Sequence, residues 1–130
     1  MRRGSGEFTV TETFEPPYFS EQGVALARGV FRKHFTGILT GTSQAQVLRI
    51  LTPVEGTSAY VGLEWFTGTL NAKAGALALI HSTVLTGGVQ TQRIGIVPES
   101  GTDGLAGLSG SMTITDRGDR HTYALTYHLP

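Results

Sequence analysis

A strand that reverses through a tight turn fixes which of its side chains share a face. That rule constrains this chain most over Tyr60–His81, YVGLEWFTGTLNAKAGALALIH, which reads as two long strands joined by a polar turn. Alternation puts Tyr60, Gly62, Glu64 and Phe66 on one face and Val61, Leu63 and Trp65 on the other. On the returning strand Gly75, Leu77, Leu79 and His81 oppose Ala74, Ala76, Ala78 and Ile80. Leu70 can pair with Lys73 around a two-residue loop or with Gly75 around a four-residue one, and Glu64 and His81 share a face in both cases.

The next turn extends that face. Gly87-Gly88 is a hairpin signal, because two-residue turns of this kind need positive φ at both positions. It sets Thr86 opposite Val89 and His81 opposite Ile94, so Gln90, Gln92, Ile94 and Ile96 join Glu64 and His81. Apolar walls carrying a few polar groups are what a small-molecule cavity needs. The candidate ligand-binding residues are therefore Tyr60, Phe66, Leu77, Leu79, Gln92, Ile94 and Ile96, around an acid–imidazole pair of Glu64 and His81. Upstream, Pro53-Val-Glu-Gly56 turns the chain so that Thr52 faces Thr57 and Arg49 faces Tyr60. Arg49 joins the ligand-binding set and is a candidate partner for Glu64.

The chain of 130 residues is long enough for one domain, 1–130, with a single core. Its formal net charge of zero, with only 15% charged residues, gives no electrostatic drive toward nucleic acid or an anionic membrane. The absence of cysteine removes disulfides, thiolate catalysis and Cys-based metal sites. No apolar run approaches the roughly 20 residues of a membrane-spanning helix. Arg2-Arg3 is followed by the polar Gly4–Glu7, without the apolar core of a signal peptide, so a cytoplasmic protein is expected.

Nearly all of the chain reads as strand. Phe8, Val10, Glu12 and Phe14 alternate with threonines across Glu7–Phe14. A proline-broken loop, Glu15–Gly23, follows, in which Tyr18 and Phe19 are expected to cover one end of the core. Val24–Phe35 is the second strand, and its basic cluster of Arg28, Arg32 and His34 is assigned to the solvated exterior rather than to a phosphate site. A strand over Ser43–Leu51 leads into the central hairpin. Phe35-Thr-Gly-Ile-Leu39 recurs as Phe66-Thr-Gly-Thr-Leu70, an echo read as two glycine-marked barrel corners. The glycine-rich segment Pro98–Gly110 lacks the Lys-Ser/Thr of a phosphate loop, and is expected to plug a barrel end with Leu105 and Leu108 on at most one short helical turn near Asp103–Leu108. Ser111–Thr115 and His121–Leu129 close the sheet, with Tyr123, Leu125 and Tyr127 facing inward. Many strands, turn signals and no helix make an all-β antiparallel barrel, closed because closure removes exposed edges.

Other chemistries fail on spacing. The histidines at 34, 81, 121 and 128 form no His-x-His metal motif, so neither metal nor cofactor is expected. Gly107-Leu-Ser-Gly-Ser111 lacks the second glycine of a nucleophile elbow.

Val61-Gly-Leu-Glu-Trp-Phe-Thr-Gly-Thr-Leu70, Leu79-Ile-His-Ser82, Val97-Pro98 and Leu105-Ala-Gly-Leu-Ser-Gly110 carry a resemblance that runs from Gly6-Glu-Phe-Thr-Val10 to Tyr123-Ala-Leu-Thr-Tyr127. The chain is similar to an uncharacterised bacterial family of small proteins that share the allene oxide cyclase barrel fold. The resemblance implies about eight antiparallel strands around a lumen able to hold a small molecule. Trp65 stands where that family often carries a basic residue. Two functions stay open: an isomerase or cyclase that folds a polyketide-, lipid- or terpene-like apolar substrate, with Glu64 and His81 moving a proton, and a non-catalytic carrier or sensor using the same lumen. Glu64 and His81 can equally be a structural pair that satisfies two buried polar groups. The remaining face of Val61, Leu63, Trp65, Ala74, Ala76, Ala78 and Ile80 is apolar enough to imply a homodimer.

Overall fold

The computed structural model describes residues 1–130. The strands are β1 (Arg2–Phe14), β2 (Phe19–Glu21), β3 (Val24–Gly37), β4 (Leu39–Leu51), β5 (Ser58–Leu70), β6 (Lys73–Thr86), β7 (Val89–Ile96), β8 (Ser109–Asp116) and β9 (His121–His128), and one 3-10 turn spans Asp103–Leu105. All pairings are antiparallel and run between sequence neighbours from β3 to β9. Closure comes from β1, which pairs with β3 over Gly6–Phe14 and with β9 over Arg2–Phe8. The result is a closed eight-stranded barrel with β2 as a short extra strand against the start of β3. No helix is long and apolar enough to cross a membrane.

The central hairpins adopt the expected registers. Leu70 faces Lys73 across Asn71 and Ala72, which take φ of 48° and 67°. Thr86 faces Val89 across Gly87 and Gly88, at φ 56° and 82°, a conformation that costs glycine nothing. Arg49 faces Tyr60, as the Pro53–Gly56 turn requires.

Three local expectations are corrected. β1 begins at Arg2 rather than Glu7, because its first half is the closing partner of β9, a contact that no local pattern announces. β4 begins at Leu39 rather than Ser43 and continues directly from the β3 corner. Tyr18 and Phe19 cover no core: they are 61% and 44% exposed, and Phe19 belongs to β2 on the barrel rim.

The core fills one half of the barrel. Phe35, Leu39, Phe66 and Leu70 are all buried there, and the Phe35 and Phe66 rings meet edge to face at 5.5 Å. The two echo segments thus deliver matching Phe and Leu side chains to one plug. The 97–108 segment completes it from outside, with Leu105 and Leu108 buried. It is tied down where Thr102 and Val97 amides donate to the Ala76 and Ala78 carbonyls, and where the Ala76 and Ala78 amides donate back to the Thr102 and Ser100 hydroxyls at 3.0 Å.

Candidate functional site

Inward-facing residues form rows across neighbouring strands. Below the outermost row of Ala25, Leu51, Ser58, Leu85 and Gln90, a rim row runs Ala27, Arg49, Tyr60, Thr83, Gln92 on β3 to β7, and the next runs Gly29, Val47, Gly62, His81, Ile94. The one after that carries Phe31, Ala45, Glu64, Leu79 and Ile96. Small residues at Ala27, Gly29, Ala45, Val47 and Gly62 leave the volume that large side chains fill at the other end. At Gly62 a Cβ would stand 2.7 Å from Val47 Cγ1 and 2.8 Å from the Gln46 carbonyl oxygen, so β4 and β5 approach too closely there for any side chain.

The space so left is a cavity of about 280 Å³ open at the rim that carries the Pro53–Gly56 and Gly87-Gly88 turns. Phe14, Phe31, Val10, Val47 and Ile114 supply its apolar wall. Lys33, Arg49, Tyr60, His81, Gln92 and His121 are among its polar groups, with the carboxylates of Glu12 and Asp116.

Glu64 lies beneath that cavity, 1% exposed, and His81 is 4% exposed. His81 Nε2 is 2.6 Å from Glu64 Oε1. Lys33 Nζ donates to the same oxygen at 3.2 Å, and Ser43 Oγ donates to Oε2 at 2.5 Å. Burial alone would push the Glu64 carboxyl up; the His81 hydrogen bond, the Lys33 and His81 charges and the Ser43 hydrogen bond outweigh it and lower the carboxyl to about 2. Glu64 is therefore ionised at neutral pH. An ionised carboxylate accepts, so Nε2 carries a proton and Nδ1 is the ring nitrogen left to exchange one with a ligand. Nδ1 makes no hydrogen bond to the protein.

The structure brings only part of the expected ligand-binding set to the cavity. Tyr60, His81, Gln92 and Arg49 line it. Phe66, Leu77, Leu79, Ile94 and Ile96 do not: all are buried in the packed core, where side chains already touch one another and leave no room for a ligand. Gln92 is also engaged, its Oε1 accepting from the Ile114 amide at 2.8 Å. Arg49 is not the partner of Glu64; its guanidinium lies 3.6 Å over the Phe14 ring and makes no salt bridge.

The partners that Glu64 does have, Lys33 and Ser43, are absent from the sequence-based set. Their signal was strand parity. Lys33 alternates with Phe31 and Phe35, opposite the exposed Arg32 and His34, and so faces inward. Its Nζ also lies 4.8 Å from the centre of the Phe8 ring.

Comparison with known proteins agrees with this architecture. A crystal structure of a protein with unknown function from the DUF3224 family of Shewanella oneidensis MR-1 superposes with a TM-score of 0.95 at 33% identity, covering 100% of this chain and 98% of that one. No curated protein matches the chain. The model of the family described as "Protein of unknown function (DUF3224)" matches residues 4–127, nearly the whole barrel, and the chain belongs to that family.

Proposed function

We propose that the barrel seats a largely apolar small molecule in its open half and that His81 moves a proton on it in an isomerisation or cyclisation. The carrying observation is the His81–Glu64 contact of 2.6 Å at the cavity floor, which fixes the tautomer and orientation of a base facing a ligand-sized space. In this reading Nδ1 takes a proton from a carbon beside a carbonyl and returns it elsewhere on the same framework, so substrate and product have the same atoms. Polyketide-, lipid- or terpene-like carbonyl compounds fit that description, and the closed barrel with one open mouth supports grouping it with allene oxide cyclase-like folds. A cytoplasmic location belongs to the same proposal, since a chain without cysteine has no disulfide for a reducing compartment to undo.

The test uses cyclohex-3-enone, whose conversion to cyclohex-2-enone is a single proton shuttle. The wild-type protein is expected to accelerate it, and His81→Ala to lose roughly 10²-fold or more of that acceleration. Enone binding that shifts the Tyr60 and His81 amide signals, without any acceleration, overturns catalysis in favour of a carrier.

We also propose that a second copy of the chain covers the outer face of β4–β6. Leu48, Val61, Leu63, Trp65 and Ile80 are exposed there and line a groove, with Val84 exposed nearby; of the charged residues lining it, Arg28 is exposed and Glu64 is buried with its carboxylate held by Lys33, His81 and Ser43. A face with so little charge to select an unlike partner suits its own copy. Ala76 adds little, being 7% exposed beneath the chain's own 97–102 segment. Light scattering should report a dimer that Leu63→Glu dissociates; a stable monomer with water-exposed Trp65 emission would count against it.

A further inference from the structure

The rim row contains two buried polar atoms with no partner, Arg49 Nε and Thr83 Oγ1, and they lie on either side of Tyr60 in the register. Buried polar groups are nearly always satisfied, so orphans beside a cavity mark where a ligand supplies the missing partner. Arg49 is the stronger of the two. Its terminal nitrogens make no hydrogen bond or salt bridge to the protein either, although carboxylates line the same cavity. Each has a reason: Asp116 lies 3.6 Å from His121 and Glu12 sits exposed on the rim, while Glu64, beneath the cavity, is engaged by Lys33, His81 and Ser43. The guanidinium carbon lies 3.6 Å over the Phe14 ring centre, and the terminal nitrogens, which have no protein partner, are the groups that grip a carboxylate through two parallel hydrogen bonds.

We propose that the cavity selects molecules bearing a carboxylate, which Arg49 clamps at the rim while the apolar body lies against Phe14, Phe31 and Tyr60 and points its far end toward His81. The proposal rests on the small-molecule reading above and adds the ligand's charged group. Across the rows, Arg49 and His81 are separated by one step along the strands, since Val47 and Gly62 pair in the His81 row. Because Arg49 on β4 and His81 on β6 also have β5 between them, a ligand anchored at Arg49 presents to His81 atoms of its far end rather than those next to its carboxylate. The anchor also supplies what an apolar cavity lacks, a fixed point that sets which carbon meets the base.

The test compares acids with their neutral amides: cinnamate with cinnamamide and hexanoate with hexanamide, titrated into the full chain and followed by amide chemical shifts. Each acid is expected to bind at least about tenfold more tightly than its amide, as charge-assisted bidentate pairs outweigh neutral ones. Arg49→Met, which keeps the stem and removes the guanidinium, should erase that preference, leaving acid and amide with equal affinity. Arg49→Lys should keep part of it, and serves if the Met variant melts abnormally. Equal affinity for acid and amide, or a preference that survives Arg49→Met, overturns the carboxylate proposal while the cavity reading stands. Absence of binding by all four compounds overturns both.

Discussion

The two ends of the barrel are made by the same strands and the same alternation, yet one end is solid and the other is hollow. At the solid end the inward positions carry Phe35, Leu39, Phe66, Leu70, Leu77 and Tyr127, and the 97–108 segment adds Leu105 and Leu108. At the hollow end the inward positions of β3–β5 carry Ala27, Gly29, Ala45, Val47 and Gly62, and the turns at 52–57, 87–88 and 117–120 are too short to insert anything. Side-chain volume at a few positions and the length of one loop therefore decide where a ligand could enter. Glu64 sits at the boundary, packed from below and overlain by His81 and Lys33.

Breaking the solid end should have the largest effect. Phe66 is fully buried against Phe35, and Phe66→Ala should cost about 3–5 kcal/mol through lost burial and a residual cavity. Denaturant unfolding of this variant beside Tyr60→Ala at the rim checks the asymmetry. A Tyr60 substitution as costly as the Phe66 one would show that the hollow end is as tightly packed as the other.

The boundary is tested by acid. Glu64 has a folded-state pKa of about 2 against an ordinary 4.5, so its ionised form stabilises the fold above pH 4.5. As pH falls from 4.5 through 2 that contribution is lost, and from the shift it amounts to about 3 kcal/mol. Thermal melts should fall across this window in the wild type and change much less in Glu64→Gln. A Glu64→Gln variant with the same acid profile would remove Glu64 as the group responsible.

How far the sequence disclosed this division can be read from particular residues. The Glu64–His81 pairing was legible because two tight hairpins fix its register locally, and parity does the rest. Closure of β1 on β9 was not, since it joins the two ends of the chain and depends on the stagger of every strand between them. The filling of the lumen was misjudged for a related reason. Phe66, Leu77, Leu79, Ile94 and Ile96 do face inward as alternation requires, but whether an inward face lines space or packs solid depends on what faces it across the barrel. Lys33 was readable by parity, since it alternates with Phe31 and Phe35 apart from the exterior cluster of Arg28, Arg32 and His34, but a lysine among phenylalanines does not by itself name the carboxylate it meets on β5.

The smallest effects sharpen the comparison most, because they set the same kind of bond at both ends. At the solid end the Tyr123 hydroxyl donates to the Thr36 carbonyl at 2.8 Å and accepts from the Leu39 amide at 2.9 Å. At the hollow end Gln92 Oε1 accepts from the Ile114 amide, beside a β7–β8 seam whose backbone register is limited to Ile94 with Met112 and Gly95 with Ser111. Each side chain satisfies a backbone amide that lacks a strand partner. Tyr123→Phe strands the Leu39 amide in a packed interior and should cost about 1–3 kcal/mol, whereas Gln92→Ala frees an amide that water entering the open cavity can reach, and should cost only about 0.5–1.5 kcal/mol. Amide exchange reports the difference directly. Ile114 should exchange about fivefold faster in Gln92→Ala with the rest of the barrel little changed, since local opening at a short seam need not involve the core. Tyr123→Phe should instead accelerate exchange throughout the plug of Phe35, Leu39 and Phe66. If Gln92→Ala also loosened that plug, the two ends would be one cooperative unit, and the open half could not be a preformed site resting on a rigid base.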